Sequence, residues 1–112
     1  MSTGDDAAPL RVGGVPEHFN IPWQLAADPK LFEFVVCPKG TGEMLQTLKD
    51  GELDVIVALT EGIVADIARG SDVRLLGTYV ESPLVWAISA GANAPFQAVE
   101  DLRGQVRAVY AR

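Results

Sequence analysis

One cysteine and one histidine in 112 residues remove two classes of chemistry at once. A single thiol cannot close an internal disulfide, and Cys37 with His18 cannot assemble a Cys/His zinc cluster. Cations are also scarce: nine Lys and Arg against fifteen Asp and Glu leave a net charge of −6. Nucleic acid and anionic membrane surfaces draw on a surplus of Lys and Arg, so neither is expected as a partner. No apolar run approaches the roughly 20 residues that cross a bilayer, so no membrane insertion is expected. Met1 to Pro9 is small, polar and acidic and lacks the basic start and apolar stretch of a secretory signal. A flexible leader over residues 1–9 and a cytoplasmic location are the expectations. No Ser/His/Asp, Cys/His or paired-carboxylate set stands at a catalytic spacing, so the chain reads as a non-enzyme without a cofactor.

What the chain has is apolar residues, 48% of the total, enough for one domain to bury a core. Residues 10–112 are read as a single α/β domain organised around Lys49 to Gly62. Val55 to Leu59 is apolar at every position, the pattern of a parallel strand covered on both faces, and is read as the central strand. Leu10–Gly14 and Phe32–Cys37 are the other two strands of the first half. Helices are expected over about Pro22–Ala27, Glu43–Asp50 and Ile63–Arg69, the last two stopped by Gly51 and Gly70. Trp23, Leu25 and Ala26, then Met44, Leu45 and Leu48, then Ile63, Val64, Ile67 and Ala68 would face the sheet. This alternation is that of a doubly wound, mostly parallel sheet with right-handed crossovers. Val73–Val80 and Leu84–Ala90 read as two more strands, forming a hairpin or bent pair on the sheet's edge. Gln97–Leu102 reads as a short helix or turn and Val106–Tyr110 as a last strand.

In open parallel sheets ligands sit beyond the carboxyl ends of the strands. Three turns occupy that place. Gly14, Pro16, Glu17, His18, Phe19 and Asn20 bring a polar pair, a ring and an amide onto one loop, a combination that orients a flat ligand. Lys39, Gly40, Thr41 and Gly42 put small residues at a helix start, where free N–H groups favour a carboxylate, sulfonate or phosphate. The same residues also fit a plain turn capped by Thr41. Thr60, Glu61 and Gly62 repeat the arrangement, with Glu61 able to accept from an amine or hydroxyl or to serve only as a first-turn acid. His18, without a second His or Cys, reads as a surface or capping residue. Trp23 and Trp86 read as core or cleft-edge aromatics.

Three segments, Leu10-Arg11-Val12-Gly13-Gly14-Val15-Pro16, Leu48-Lys49-Asp50-Gly51-Glu52-Leu53-Asp54-Val55 and Val99-Glu100-Asp101-Leu102-Arg103-Gly104, stand in a telling order. In that order the chain resembles type II periplasmic-binding-protein-like domains. It is most similar to the substrate-binding proteins of the alkanesulfonate, taurine and thiamine-precursor group, in a signal-less intracellular branch. The resemblance implies two lobes closing on a small molecule, of which this chain covers the first, a truncated form. Tyr79, Ser82 and Pro83 fall where that family crosses between lobes, which adds Ser82 to the candidate ligand-binding residues. The implied ligand is anionic or heteroaromatic and is held without being transformed, as in the solute-binding proteins of ABC transporters. Two alternatives stand beside this one. The first is a truncated or interaction module that self-associates through an open sheet edge. The second is an enzyme of the thiamine-pyrimidine-synthase type, whose cysteine-rich iron motif is not found in the sequence.

Overall fold

A computed structural model describes residues 7–26 and 28–105. Contacts divide the chain into two units, one running to Tyr79 and the other starting at Val80. The first unit is α/β. It alternates β1 (Leu10–Gly14), a 3-10 turn at His18–Asn20, α1 (Ile21–Leu25), β2 (Phe32–Val36), α2 (Thr41–Lys49), β3 (Val55–Val57) and α3 (Thr60–Ala68). The three strands form an open sheet in the order β2-β1-β3. Both pairings are parallel, with Leu10 opposite Phe32 and Gly14 opposite Val36 on one side, and Val12 opposite Val55 and Gly14 opposite Val57 on the other.

The central place therefore belongs to β1, and the expectation for Val55 to Leu59 is corrected. That segment pairs over only three residues and has one neighbour. Val55 to Ala58 are half-buried, with Ile56 and Ala58 packed against the Cys37 core, and such burial does not require a strand on each side.

Gly13 and Gly14 show how closely the layers approach β1. A methyl group on Gly13 would meet Leu53 Cδ1 at 2.5 Å, and one on Gly14 would meet the Phe34 ring at 2.7 Å. Adjacent strand residues point to opposite faces. So Leu53, Cys37 and Ile56 lie on the Gly13 side, and Phe34 and Asn20 lie on the Gly14 side. On the first side the buried cluster of Cys37, Met44 and Leu53 is completed by Val15, Val35, Leu48, Ile56 and Ala58. Burial pushes the Cys37 thiol upward, with Glu43 adding to the effect, so the lone cysteine sits in this core as a protonated thiol. On the other side Trp23 packs edge-on to Phe32 at 5.1 Å, stacks on Phe34 at 6.1 Å and lies 5.9 Å from Tyr79.

Helix faces depart from expectation in two places. Leu25 and Ala26 are exposed instead of facing the sheet, because α1 closes after five residues and only Trp23 reaches the sheet. In α3 the inward positions are Ile63 and Asp66, while Val64 and Ala68 face outward. Asp66 takes an inward place because Lys49 of α2 reaches it at 2.9 Å, with Arg69 at 3.8 Å. The two stops were placed correctly: Gly51 and Gly70 take φ of 78° and 95° just past α2 and α3.

No strand forms over Val73–Val80 or Leu84–Ala90; among the described residues the sheet ends at β3. The expected hairpin is likewise not formed. An apolar, β-branched run records a tendency toward extended backbone, but a strand exists only where a neighbour takes its N–H and C=O groups. In the second unit Leu84–Ala90 is exposed and without regular structure, and a 3-10 turn follows at Val99–Leu102. The Asp101 carboxylate accepts from the Gln97 and Ala98 amides at 2.8 and 3.0 Å and so starts that turn. The strand expected at Val106–Tyr110 lies outside the described residues.

Truncating Met44, 1% exposed, to alanine should cost about 2–5 kcal/mol in urea unfolding. The same change at Val64, 48% exposed, should stay within about 0.5 kcal/mol.

Candidate functional site

Because β1 runs parallel to both neighbours, the carboxyl ends of all three strands lie on one edge of the sheet. The strand-to-helix turns that follow them share this rim. At the first turn Gly14 is buried and Pro16, Glu17 and His18 are exposed, with Phe19 half-covered. His18 and Phe19 meet edge to face at 5.4 Å. Asn20 is only 1% exposed; its Nδ2 donates to the Val15 carbonyl at 2.9 Å, and its Oδ1 has no partner. The Tyr79 hydroxyl donates to the Phe19 carbonyl at 2.6 Å, which fixes the loop from outside.

At the second turn the capping expectation is corrected. Gly40, at φ 90°, precedes the helix, and Thr41 is its first residue, with no side-chain cap bond. Glu43 supplies the link instead, its Oε2 accepting from the Lys39 amide at 2.8 Å. One free donor near this helix start is thus already occupied by a carboxylate of the chain itself. At the third turn Thr60 and Glu61 are exposed and open α3 without a cap bond. The second and third turns touch. A methyl group on Gly62 would lie 2.9 Å from Thr41 Cγ2, so the starts of α2 and α3 meet side by side.

The first, second and third turns are therefore brought to one rim, as their place after parallel strands implied. Ser82 belongs to the second unit and is exposed there. Among the described residues no group of three His, Cys, Asp or Glu could hold a metal. No described helix is long and apolar enough to cross a membrane. Two open depressions occur in the first unit, one beside Leu10, Arg11 and Asp54 and one beside Trp23, Phe32 and Phe34. Neither of these takes a residue from the three turns, whose Glu17, His18, Thr60 and Glu61 are exposed, so these side chains present an open ledge.

Two polar anchors escaped the sequence reading. At the amino end of the sheet, Arg11 Nε and Nη2 reach Asp54 Oδ2 and Oδ1 at 3.0 Å each. The Arg11 amide donates to the same carboxylate at 2.8 Å, and Nη2 donates to the Gly51 carbonyl at 2.8 Å. The charged hydrogen bonds from the Arg11 side chain and then its backbone hold Asp54 down to about 2. The second anchor is Asp66. The nearby Ser71 hydroxyl does most to hold its carboxyl below the usual carboxylate range, followed by Lys49 and Arg69. Ser71 Oγ and Asp66 Oδ2 are both buried and neither completes a hydrogen bond, so the hydroxyl acts there as a nearby dipole. Nothing in the sequence marks the first pair, whose members stand 43 residues apart.

Comparison with protein-family models, curated proteins and solved structures finds no match to the chain.

Asp54 gives the fold a defined acid limit. A carboxylate near 3.9 in the unfolded chain and at about 2 in the folded one stabilises the fold fully above about pH 4. That contribution is lost as pH falls through about 2. Asp54→Asn should lower the urea midpoint at pH 7 and flatten its decline between pH 4 and 2, as followed by circular dichroism.

Proposed function

We propose that the rim formed by the three strand-to-helix turns binds a small molecule and releases it unchanged. What supports this reading is the meeting of Thr41 and Gly62, which sets two helix starts side by side at the carboxyl edge of a parallel sheet. The ligand class follows from the charges around them. Glu43 already occupies the Lys39 amide, Glu61 stands exposed on the next turn, and the chain carries −6 overall. A free phosphate or sulfonate meets repulsion there. A flat heteroaromatic bearing N–H donors suits the same ledge better. Glu61 accepts from such donors and the half-covered Phe19 ring offers stacking. The resemblance to the first lobe of solute-binding proteins implies an anionic or heteroaromatic ligand, and the acidic groups at the rim favour the second, such as a thiamine-precursor pyrimidine.

An open ledge covers one face of its ligand, so affinity should be weak, with Kd on the order of 0.1–1 mM. Titration of the isotope-labelled chain with an aminopyrimidine, followed by amide NMR, should shift resonances at residues 14–20, 39–42 and 60–62 saturably. Inorganic phosphate and methanesulfonate should do so at least tenfold more weakly. Glu61→Gln, an exposed change that spares the core, should weaken the aminopyrimidine by roughly tenfold through loss of a charge-assisted hydrogen bond. A folded protein whose rim resonances respond to none of these molecules would overturn the reading.

A further inference from the structure

The buried carboxylate of Asp66 takes no part in the rim reading, and it stands where a helix ordinarily buries an apolar side chain. Asp66 is 7% exposed and fills one of the two inward places of α3, beside Ile63. Lys49, the last residue of α2, reaches its Oδ1 with Nζ at 2.9 Å. Arg69 lies 3.8 Å from the same oxygen, but it closes the same helix as Asp66 and so cannot join one helix to another. Oδ2 is buried near Ser71, also just past α3, and completes no hydrogen bond. Among the described residues Lys49 is therefore the charged group that meets Asp66 from a different element. A buried ion pair adds little net stability, because desolvation offsets the attraction. It does fix a geometry, where an apolar contact can slide.

What that geometry controls follows from where else the two helices meet. Both start at the carboxyl edge of the sheet and pack side by side. They touch at their starts, Thr41 against Gly62, and are tied again toward their ends, Lys49 to Asp66. Along α2 the two points stand about 12 Å apart at roughly 1.5 Å per residue. Helical side chains lean back toward the start of their helix, which lets Lys49 reach an acid lying less far along α3. Two rods joined at one point pivot; joined at two, they keep one crossing angle. Resting on the proposed binding at the rim, we infer that the Lys49–Asp66 pair sets the spacing of the two helix starts, which makes Asp66 a positioning residue for Glu61. With the far tie released, a tilt of about 5° over this length displaces the start of α3 by about 1 Å. A hydrogen bond from a ligand to Glu61 does not survive a displacement of that size without rearrangement.

NMR of the full chain reads the spacing and the ligand separately. In the wild type a nuclear Overhauser contact should join the Thr41 methyl to the Gly62 α-protons. Asp66→Asn and Lys49→Met, which cut the tie from opposite sides, should each weaken that contact and shift the amides of residues 41–42 and 60–62. The amides of Leu10–Gly14 should stay in place. Each variant should weaken aminopyrimidine binding by roughly fivefold. The double variant should be no weaker than either single one, as for two ends of one interaction. Lys49→Arg, which keeps the charge and the reach, should behave as wild type. Val12→Ala, a truncation on the face of the sheet away from α2, is the control for lost stability alone and should leave the Thr41–Gly62 contact intact. An unchanged contact in both single variants would overturn the inference and leave the rim reading standing, and so would additive losses in the double variant. A contact that weakens as expected in a protein that binds no aminopyrimidine would support the spacing role and overturn the rim reading.

Discussion

The backbone of β1 is the constraint on which the first unit depends, because it alone hydrogen-bonds on both of its edges. A five-residue strand with neighbours on each side fixes the direction of β2 and β3 together, and so fixes where their helices begin. Its hold on β3 is reinforced at one end by side chains. Arg11 and Asp54 pair through two charged hydrogen bonds, and the Asp54 amide donates to the Arg11 carbonyl at 2.9 Å. Backbone and side chain thus join the same two residues from both directions. With β3 only three residues long, such a clamp sets a register that the strand's own ladder is too short to secure.

Around that sheet the polar anchors divide the work. Arg11 and Asp54 secure the amino edge, Asp66 with Lys49 ties α3 to α2, and the Tyr79 hydroxyl holds the loop after β1. The carboxyl edge, to which that loop belongs, has further ties of its own. Its turns are held by the Asn20 and Glu43 side chains and by the close approach of Thr41 to Gly62. An edge of this kind, with exposed threonine, glutamate and histidine over a braced frame, is where a fold of parallel strands can accommodate a ligand without loss of stability.

Much of the local architecture was legible in the residues. Leu10–Gly14 begins and ends where expected, and the stripe Met44, Leu45, Leu48 marks the inward face of α2. The glycines at 51 and 70 mark helix ends because only a residue without a side chain turns left-handed at little cost. Sheet order was not legible, since an apolar run such as Val55–Leu59 records burial and carries no trace of which strand lies beside it. Asp66 was missed because helix periodicity sees an acid as outward, whereas Lys49, 17 residues earlier, makes the inward place tenable. The strands expected at Val73–Val80 and Leu84–Ala90 failed for a related reason, as propensity cannot supply a neighbour. Of the candidate rim, the three turns were found from their place after strands. The occupied amide at Lys39 and the touching of Thr41 and Gly62 depend on distances, which no spacing encodes.

Gly13 and Gly14 leave two consecutive places in the middle of the sheet without side chains, and layers from both faces close onto them. At that point the centre of the unit is made of peptide groups, wedged between Leu53 on one face and the Phe34 ring on the other. A larger residue there would require the end of the Leu53 side chain or the Phe34 ring to shift. The middle of the sheet thus admits no added side chain without a shift of its neighbours, while the exposed residues of the turns just beyond it have room to change.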